Sequence, residues 1–384
     1  MPHPEVPRMR DPRLDKLANV LVNYSTSVKK GDLVTVSADA AAFPAVEAVF
    51  EAVLRAGGNP VWTPRSDRLL EIMLEHASDE QLRFFSPLEM HRVQTADVQI
   101  GFWVEQNPKH LGKFDPARVA AHQSARREFM KVFMNRAATG SLRWVGTIYP
   151  THGNAQDAER SLTQFEDFVF RAGLLHLENP VAAWEQVRER QQRVCDYLQG
   201  KKLVHFTAPA RDGHDGTDLR VDVSKGIWIN CAGKENFPDG EVFAGPTGVE
   251  GHVNYTYPAV YQGREVEGVR LAFRGGRVVD ASAKKNESFL INMLDQDAGA
   301  RVLGEIAIGT NYSITEFMKN TLFDEKMGGT FHAAVGAGYP ESGSSNESGL
   351  HWDMVCDLTR GGAISADGEV FHRDGRFLRD GWPG

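Results

Sequence analysis

The feature that most constrains this fold is a change of hydrophobic period partway along the chain. Up to about residue 200, helical and strand-like apolar patterns alternate; beyond it, short β-rich runs follow one another between glycine turns. Leu14, Leu17, Val20 and Leu21 recur at helical spacing, so Arg13–Ser27 reads as an amphipathic helix. Gly31-Asp32 signals a turn and Leu33–Val36 a strand, and Ala42–Ala56 gives a second helix stopped by Gly57-Gly58. Pro60-Val61-Trp62 opens the next strand and completes a β-α-β unit. The pattern continues with a strand at Val98–Val104, a long helix at Pro116–Ala137, a strand at Leu142–Ile148, and helices at Ala155–Leu175 and Val181–Leu198. Alternation of this kind predicts a mostly parallel sheet with helices on its faces.

After Gly200-Lys201-Lys202 the texture changes. Leu203–Thr207, Asp218–Val223, Gly226–Cys231, Val269–Phe273 and Arg277–Ser282 are short β-rich runs, divided by turns such as Arg274-Gly275-Gly276. A chain of 384 residues exceeds one ordinary domain. The expected fold class is therefore α/β, with a β-α-β domain over residues 1–200 and a β-rich α+β domain over 201–384.

Several classes are excluded early. A formal net charge of −8 argues against nucleic acid as partner, since such binders present a basic face. The cysteines Cys195, Cys231 and Cys356 are odd in number and form no C-x-x-C pair, which suggests neither a disulfide framework nor a thiolate zinc site. The opening MPHPEVPRMRDPRLDK has no apolar signal core, and no apolar run reaches membrane-spanning length. A cytoplasmic protein with no membrane partner is expected. There is no P-loop, G-x-S-x-G elbow or H-E-x-x-H helix.

What remains is a set of hard ligands in the second half. His351-Trp352-Asp353 lies nineteen residues after His332, with Glu241, Glu305 and Glu325 upstream. On a strand, positions i and i+2 face the same way, so His351 and Asp353 project together. A hydrogen-bonded pair on a solvated face is the plain alternative. His332 sits among small residues in GGTFHAAVG, which leaves room for an ion or substrate. Glu325 is seven residues earlier, a helical spacing that Gly328-Gly329 makes doubtful. Alternation in VLGEIAIGTN puts Glu305, Ala307 and Gly309 on one face, and Glu241 likewise follows a glycine in an apolar run. Two imidazoles and four carboxylates suit divalent zinc, manganese or cobalt, and several carboxylates let two ions sit close together. Tyr339, beside Gly338 and Pro340, could donate a hydrogen bond to a developing oxyanion or simply pack a turn.

At these residues the sequence resembles the M29 family of metal-dependent aminopeptidases. The resemblance runs through GEVF at Gly240–Phe243, GEIAIGTN at Gly304–Asn311, DEKMGGTFHAAVG at Asp324–Gly336, HWDM at His351–Met354, and the opening Arg13–Asp32. It implies metal ligands at Glu241, Glu305, His332, His351 and Asp353, with Glu325 a further site carboxylate and Tyr339 the active-site tyrosine. It also implies a homodimer acting on peptides with a free amino terminus.

The expected function is hydrolysis of the N-terminal residue by a water activated between two divalent ions. Glu305 or Glu325 would move the proton to the leaving amine, and Tyr339 would stabilise the oxyanion. Two other readings use the same residues. His332, His351 and Asp353 could hold one iron of a ring-cleaving dioxygenase, though such a site has no need of Glu241 and Glu305. A metal-stabilised peptide-binding protein without turnover is the other.

Overall fold

Local rules start the first helix where the sequence places it. In the computed structural model, which describes residues 10–211, 213–261 and 263–384, Asp11 caps Pro12–Asn19 by accepting from the Arg13 amide at 2.8 Å. The polar stretch through residue 9 lies outside the described residues. Leu14, Leu17 and Ala18 are buried, and the chain continues through one wide turn, Val20–Ser25, before Leu33–Asp39.

The chain forms two compact units. One runs to Val181 and includes Lys234–Phe237; the other comprises Ala182–Gly233 and Pro238–Gly384. The change in residue pattern near 200 therefore does not coincide with the division into units. The helix Pro180–Leu198 belongs almost wholly to the second, because Val194, Cys195 and Leu198 are part of that unit's core.

The first unit is the α/β part. Its sheet runs Asn59–Arg65, Leu33–Asp39, Val98–Trp103, Arg143–Ile148, Asn236–Phe237, all parallel. Two long helices expected here are each interrupted. Pro116–Ala125 and Arg127–Ala138 are separated at Arg126, and His152–Asp157 precedes a distinct Leu162–Ala172. In the latter case Ser161 and Gln164 form a reciprocal capping box, which ends one helix and starts another for about 1 kcal/mol. Apolar periodicity continues across such a break, so the pattern alone does not reveal it.

The second unit is antiparallel throughout its named sheets. An eight-stranded sheet includes Leu203–Ala208 and Thr217–Asp222, and a five-stranded sheet has the order His351–Asp357, Thr330–Gly336, Leu303–Gly309, Glu241–Ala244, Ile229–Cys231. One face of this second sheet carries Val242, Ile306, Ile308, Phe331, Val335, Trp352 and Met354, all in one hydrophobic core. Each fully buried large side chain of that kind contributes roughly 1.5–3 kcal/mol, so the sheet's facing is strongly fixed. The opposite face is thereby assigned to the polar residues that alternate with them. No helix among the described residues is long and apolar enough to cross a membrane.

Candidate metal centre

Strand register gathers the polar side chains. Gly309 pairs with Glu241, Ala307 with His332, and Ala334 with both Glu305 and Asp353; Gly336 pairs with His351. Ala307, Ala334, Gly309 and Gly336 thus make a floor of small residues between four strands that deliver Glu241, Glu305, His332, His351 and Asp353. Gly336 adopts φ +100°, and a Cβ there would lie 2.1 Å from the Leu350 carbonyl, so no side chain is tolerated. Gly240, at φ +132°, plays the same part just before Glu241, against Asn311.

His332 is the hub. Its Nε2 lies 3.2 Å from Glu305 Oε1, 3.3 Å from Glu241 Oε2 and 3.9 Å from Asp353 Oδ1, and the residue is fully buried. His351 Nε2 is 3.3 Å from Asp353 Oδ2, while its Nδ1 is 2.7 Å from the Ala337 carbonyl. That carbonyl can only accept, so Nδ1 carries a proton and Nε2 is the ring nitrogen left to bind an ion at the site.

Glu325 arrives by a different route. It caps the short helix Thr321–Asp324, whereas His332 is on a strand, so the seven-residue spacing has no helical meaning. It nonetheless reaches the same place: Glu325, His332 and Asp353 form one group able to hold an ion, and Glu241, Glu305 and His332 another. His332 belongs to both. The Tyr339 ring packs edge-on against His351 at 5.2 Å and against Phe243 at 5.7 Å, at the margin of the cluster.

Three residues escaped the sequence reading: Lys326, Asp239 and Gln191. Lys326 is 1 % exposed, and its Nζ donates to Glu241 Oε1 at 2.6 Å and to Glu325 Oε1, with Asp239 Oδ1 at 3.8 Å. A lysine next to a suspected ligand, in DEKMGG, was the available signal; lysines are so seldom fully buried that solvent was the natural assignment. Gln191, from the helix Pro180–Leu198, donates to the carbonyls of Cys231 and Glu241 and accepts from Thr310 Oγ1, so it anchors the backbone beneath the site.

Electrostatics mark a site strained by its own charge. Burial pushes the Glu241 carboxyl up to about 8 in spite of Lys326. Burial also raises Glu325 and Asp239. It works against protonated His332, yet the bond to Glu305 and the nearby carboxylates carry that imidazole up to about 9. His351 is held at about 10 by Asp353 against the same burial penalty. Asp353 is itself held far below the usual range, because His351 and His332 outweigh its burial. Glu241 Oε2, Asp353 Oδ1 and His332 Nδ1 are buried without a hydrogen-bond partner. Buried polar atoms are normally satisfied, and unsatisfied carboxylate oxygens turned towards a shared imidazole suit the binding of a cation.

Fold and donor set together define a metal-dependent hydrolase: hard oxygen and imidazole ligands, no thiolate, on the polar face of an antiparallel sheet. The family model described as thermophilic metalloprotease (M29) matches residues 10–377. Aminopeptidase 2 of Geobacillus stearothermophilus is 28% identical, covering 96% of this chain and 97% of that one. Aminopeptidase T of Thermus aquaticus is 30% identical over 63% of each chain. The solved structure of wild-type AmpT from Thermus thermophilus superposes with a TM-score of 0.83 at 26% identity, covering 96% of this chain and 99% of that one. The chain belongs to the M29 family, and it is a metal-dependent aminopeptidase.

Proposed function

We propose that this aminopeptidase works with two divalent ions, held by Glu241, Glu305, Glu325, His332, His351 and Asp353. The observation that carries the reading is the charge of the cluster. Asp239, Glu241 and Glu325 lie against one permanent cation, Lys326, and Glu305 and Asp353 against His332, five carboxylates in one cluster. With both imidazoles neutral, four negative charges are left over, which is the charge of two divalent ions. One ion would leave two negative charges uncompensated, a costly arrangement in a low-dielectric site. The same count disfavours a single-iron dioxygenase site.

Two such ions would supply an acidified water and a polarised scissile carbonyl. The protein does the rest. Ala337 fixes the His351 tautomer, and Lys326 holds Glu241 Oε1 so that Oε2 faces His332. Glu305 and Glu325 are the candidates to take the proton from the water and return it to the leaving amine nitrogen. The Tyr339 hydroxyl donates to the oxyanion of the tetrahedral state. The acidic cluster attracts a substrate's free ammonium group, which restricts cleavage to the amino-terminal residue. Zinc, cobalt and manganese all suit these ligands, and we further propose a cytoplasmic homodimer.

The test is metal content set against rate. The protein is stripped with EDTA, titrated with zinc, cobalt or manganese, and assayed on aminoacyl-nitroanilides, with bound metal counted by mass spectrometry. Activity should appear as occupancy approaches two ions per chain and vanish on N-acetylated substrates. Full activity at one ion per chain refutes the two-ion site; equal cleavage of acetylated substrates refutes the exopeptidase mechanism.

A further inference from the structure

The metal-site face continues past Asp353 along the outer strand of its sheet. His351–Asp357 is an edge strand, and residues 353, 355 and 357 share one face. Asp353 and Val355 line a narrow cavity of about 20 Å³ together with Glu325, Phe317 and Pro258. Pro258 is also in the wall of a larger cavity of about 380 Å³, whose lining includes Asp357, Arg211 and Arg360. The chain before Pro258 runs beside the edge strand, with the Thr256 amide donating to the Val355 carbonyl at 3.1 Å and Thr256 Oγ1 accepting from the Asp357 amide at 2.6 Å. Tyr257, on the wall of the larger cavity, stacks at 4.9 Å on Phe317, on the wall of the smaller. The two cavities thus share Pro258 and lie along the same strand.

The two ends differ in charge. At Asp353 the carboxylates dominate. In the chamber, Arg211 commits Nη2 to Asp357 Oδ2 at 3.1 Å while its Nη1 has no hydrogen-bond partner. Arg360 is exposed and enters no ion pair among the described residues. The other carboxylate of that wall, Glu267, is engaged by Lys285. An acidic cluster and a basic wall set along one strand complement a zwitterion. At about 3.4 Å per residue, Asp353 and Asp357 are roughly 14 Å apart, the span of about four extended peptide residues.

We propose that Arg360, with Arg211, binds the C-terminal carboxylate of a short peptide whose amino terminus is held at the carboxylate cluster. The substrate class is then free oligopeptides of about four to five residues. This rests on the aminopeptidase reading of the site.

The experiment uses the metal-loaded protein on leucyl-oligoalanine peptides of two to eight residues, each as the free acid and as the C-terminal amide. Free acids of four or five residues should be favoured over their amides about tenfold in kcat/KM, chiefly through KM, with the ratio smaller at two and at eight. Arg360→Gln should bring that ratio towards one, and Arg360→Lys should keep part of it. Because Arg360 is exposed and unpaired, these variants should fold, which a melting curve checks; Arg211→Gln also loosens Asp357 and serves as the second variant. Equal cleavage of acids and amides at every length overturns the subsite and leaves the aminopeptidase reading intact. Failure to cleave either series refutes that reading, and the subsite falls with it.

Discussion

Replacing Lys326 with methionine keeps an unbranched side chain, one atom shorter, and deletes the one permanent cation among the five carboxylates. Burial alone would discharge this lysine, yet Glu241, Glu325 and Asp239 hold it protonated, well above its ordinary range. A unit-charge pair at 4 Å is worth about 4 kcal/mol at an effective dielectric of 20. The desolvation cost of the ammonium offsets much of three such contacts. Breaking a buried ion pair by removing one partner costs about 3–5 kcal/mol, and partial protonation of Glu241 keeps the expected loss in that range. For a unit of this size, at about 2–4 °C per kcal/mol, the metal-free Tm should fall by roughly 10 °C. The assay is differential scanning fluorimetry of Lys326→Met and the wild type, with chelator and with saturating zinc. Added ions neutralise the same carboxylates, so the deficit should shrink on loading, and the variant should gain more from metal than the wild type. A metal-free Tm within 2 °C of wild type would refute the argument that Lys326 balances this cluster. A larger deficit with metal than without would refute it equally, by showing that the lysine acts mainly on the loaded state.

Glu305→Gln keeps volume but removes a charge and a proton acceptor 3.2 Å from His332; kcat of the folded, metal-loaded variant should drop about 10³-fold, far beyond what the loss of its bond to His332 does to stability, and a wild-type kcat would remove Glu305 from the reaction. Tyr339→Phe removes only a hydroxyl, so kcat should fall about 10²–10³-fold, about 3–4 kcal/mol, with KM nearly unchanged; wild-type kcat would remove Tyr339 from the reaction. The metal-free protein should become less stable as pH rises. His332 and His351, raised to about 9 and about 10, contribute stability that is full below the unfolded imidazole value near 6.5 and is lost as pH passes through those folded values. Glu241, raised to about 8, is favoured in its protonated form by the fold, so it too becomes a liability as pH climbs to that value. Melting scans from pH 6 to 10.5 with chelator should show a falling Tm that zinc largely abolishes, and a flat chelated profile would contradict these shifts.

The sequence by itself determined the fold class and the facing of the site. Alternation in GEIAIG and HWDM obliges Ile306, Ile308, Trp352 and Met354 to enter a core, and Glu305, His351 and Asp353 then have only the other face to occupy. Helix limits were less legible, because a cap such as Ser161–Gln164 interrupts a helix without interrupting its apolar period. Only the tertiary structure decided the register that sets Ala307 beside His332 and Ala334 beside both Glu305 and Asp353, since many pairings share one alternation. It also decided Glu325, which reaches the cluster from the end of a short helix, and Lys326, whose ammonium meets Glu241, 85 residues away in the chain. Period-2 chemistry is local and can be read along the chain. Charge balance in a buried cluster is a property of everything that converges there, so it appears only when the strands are side by side.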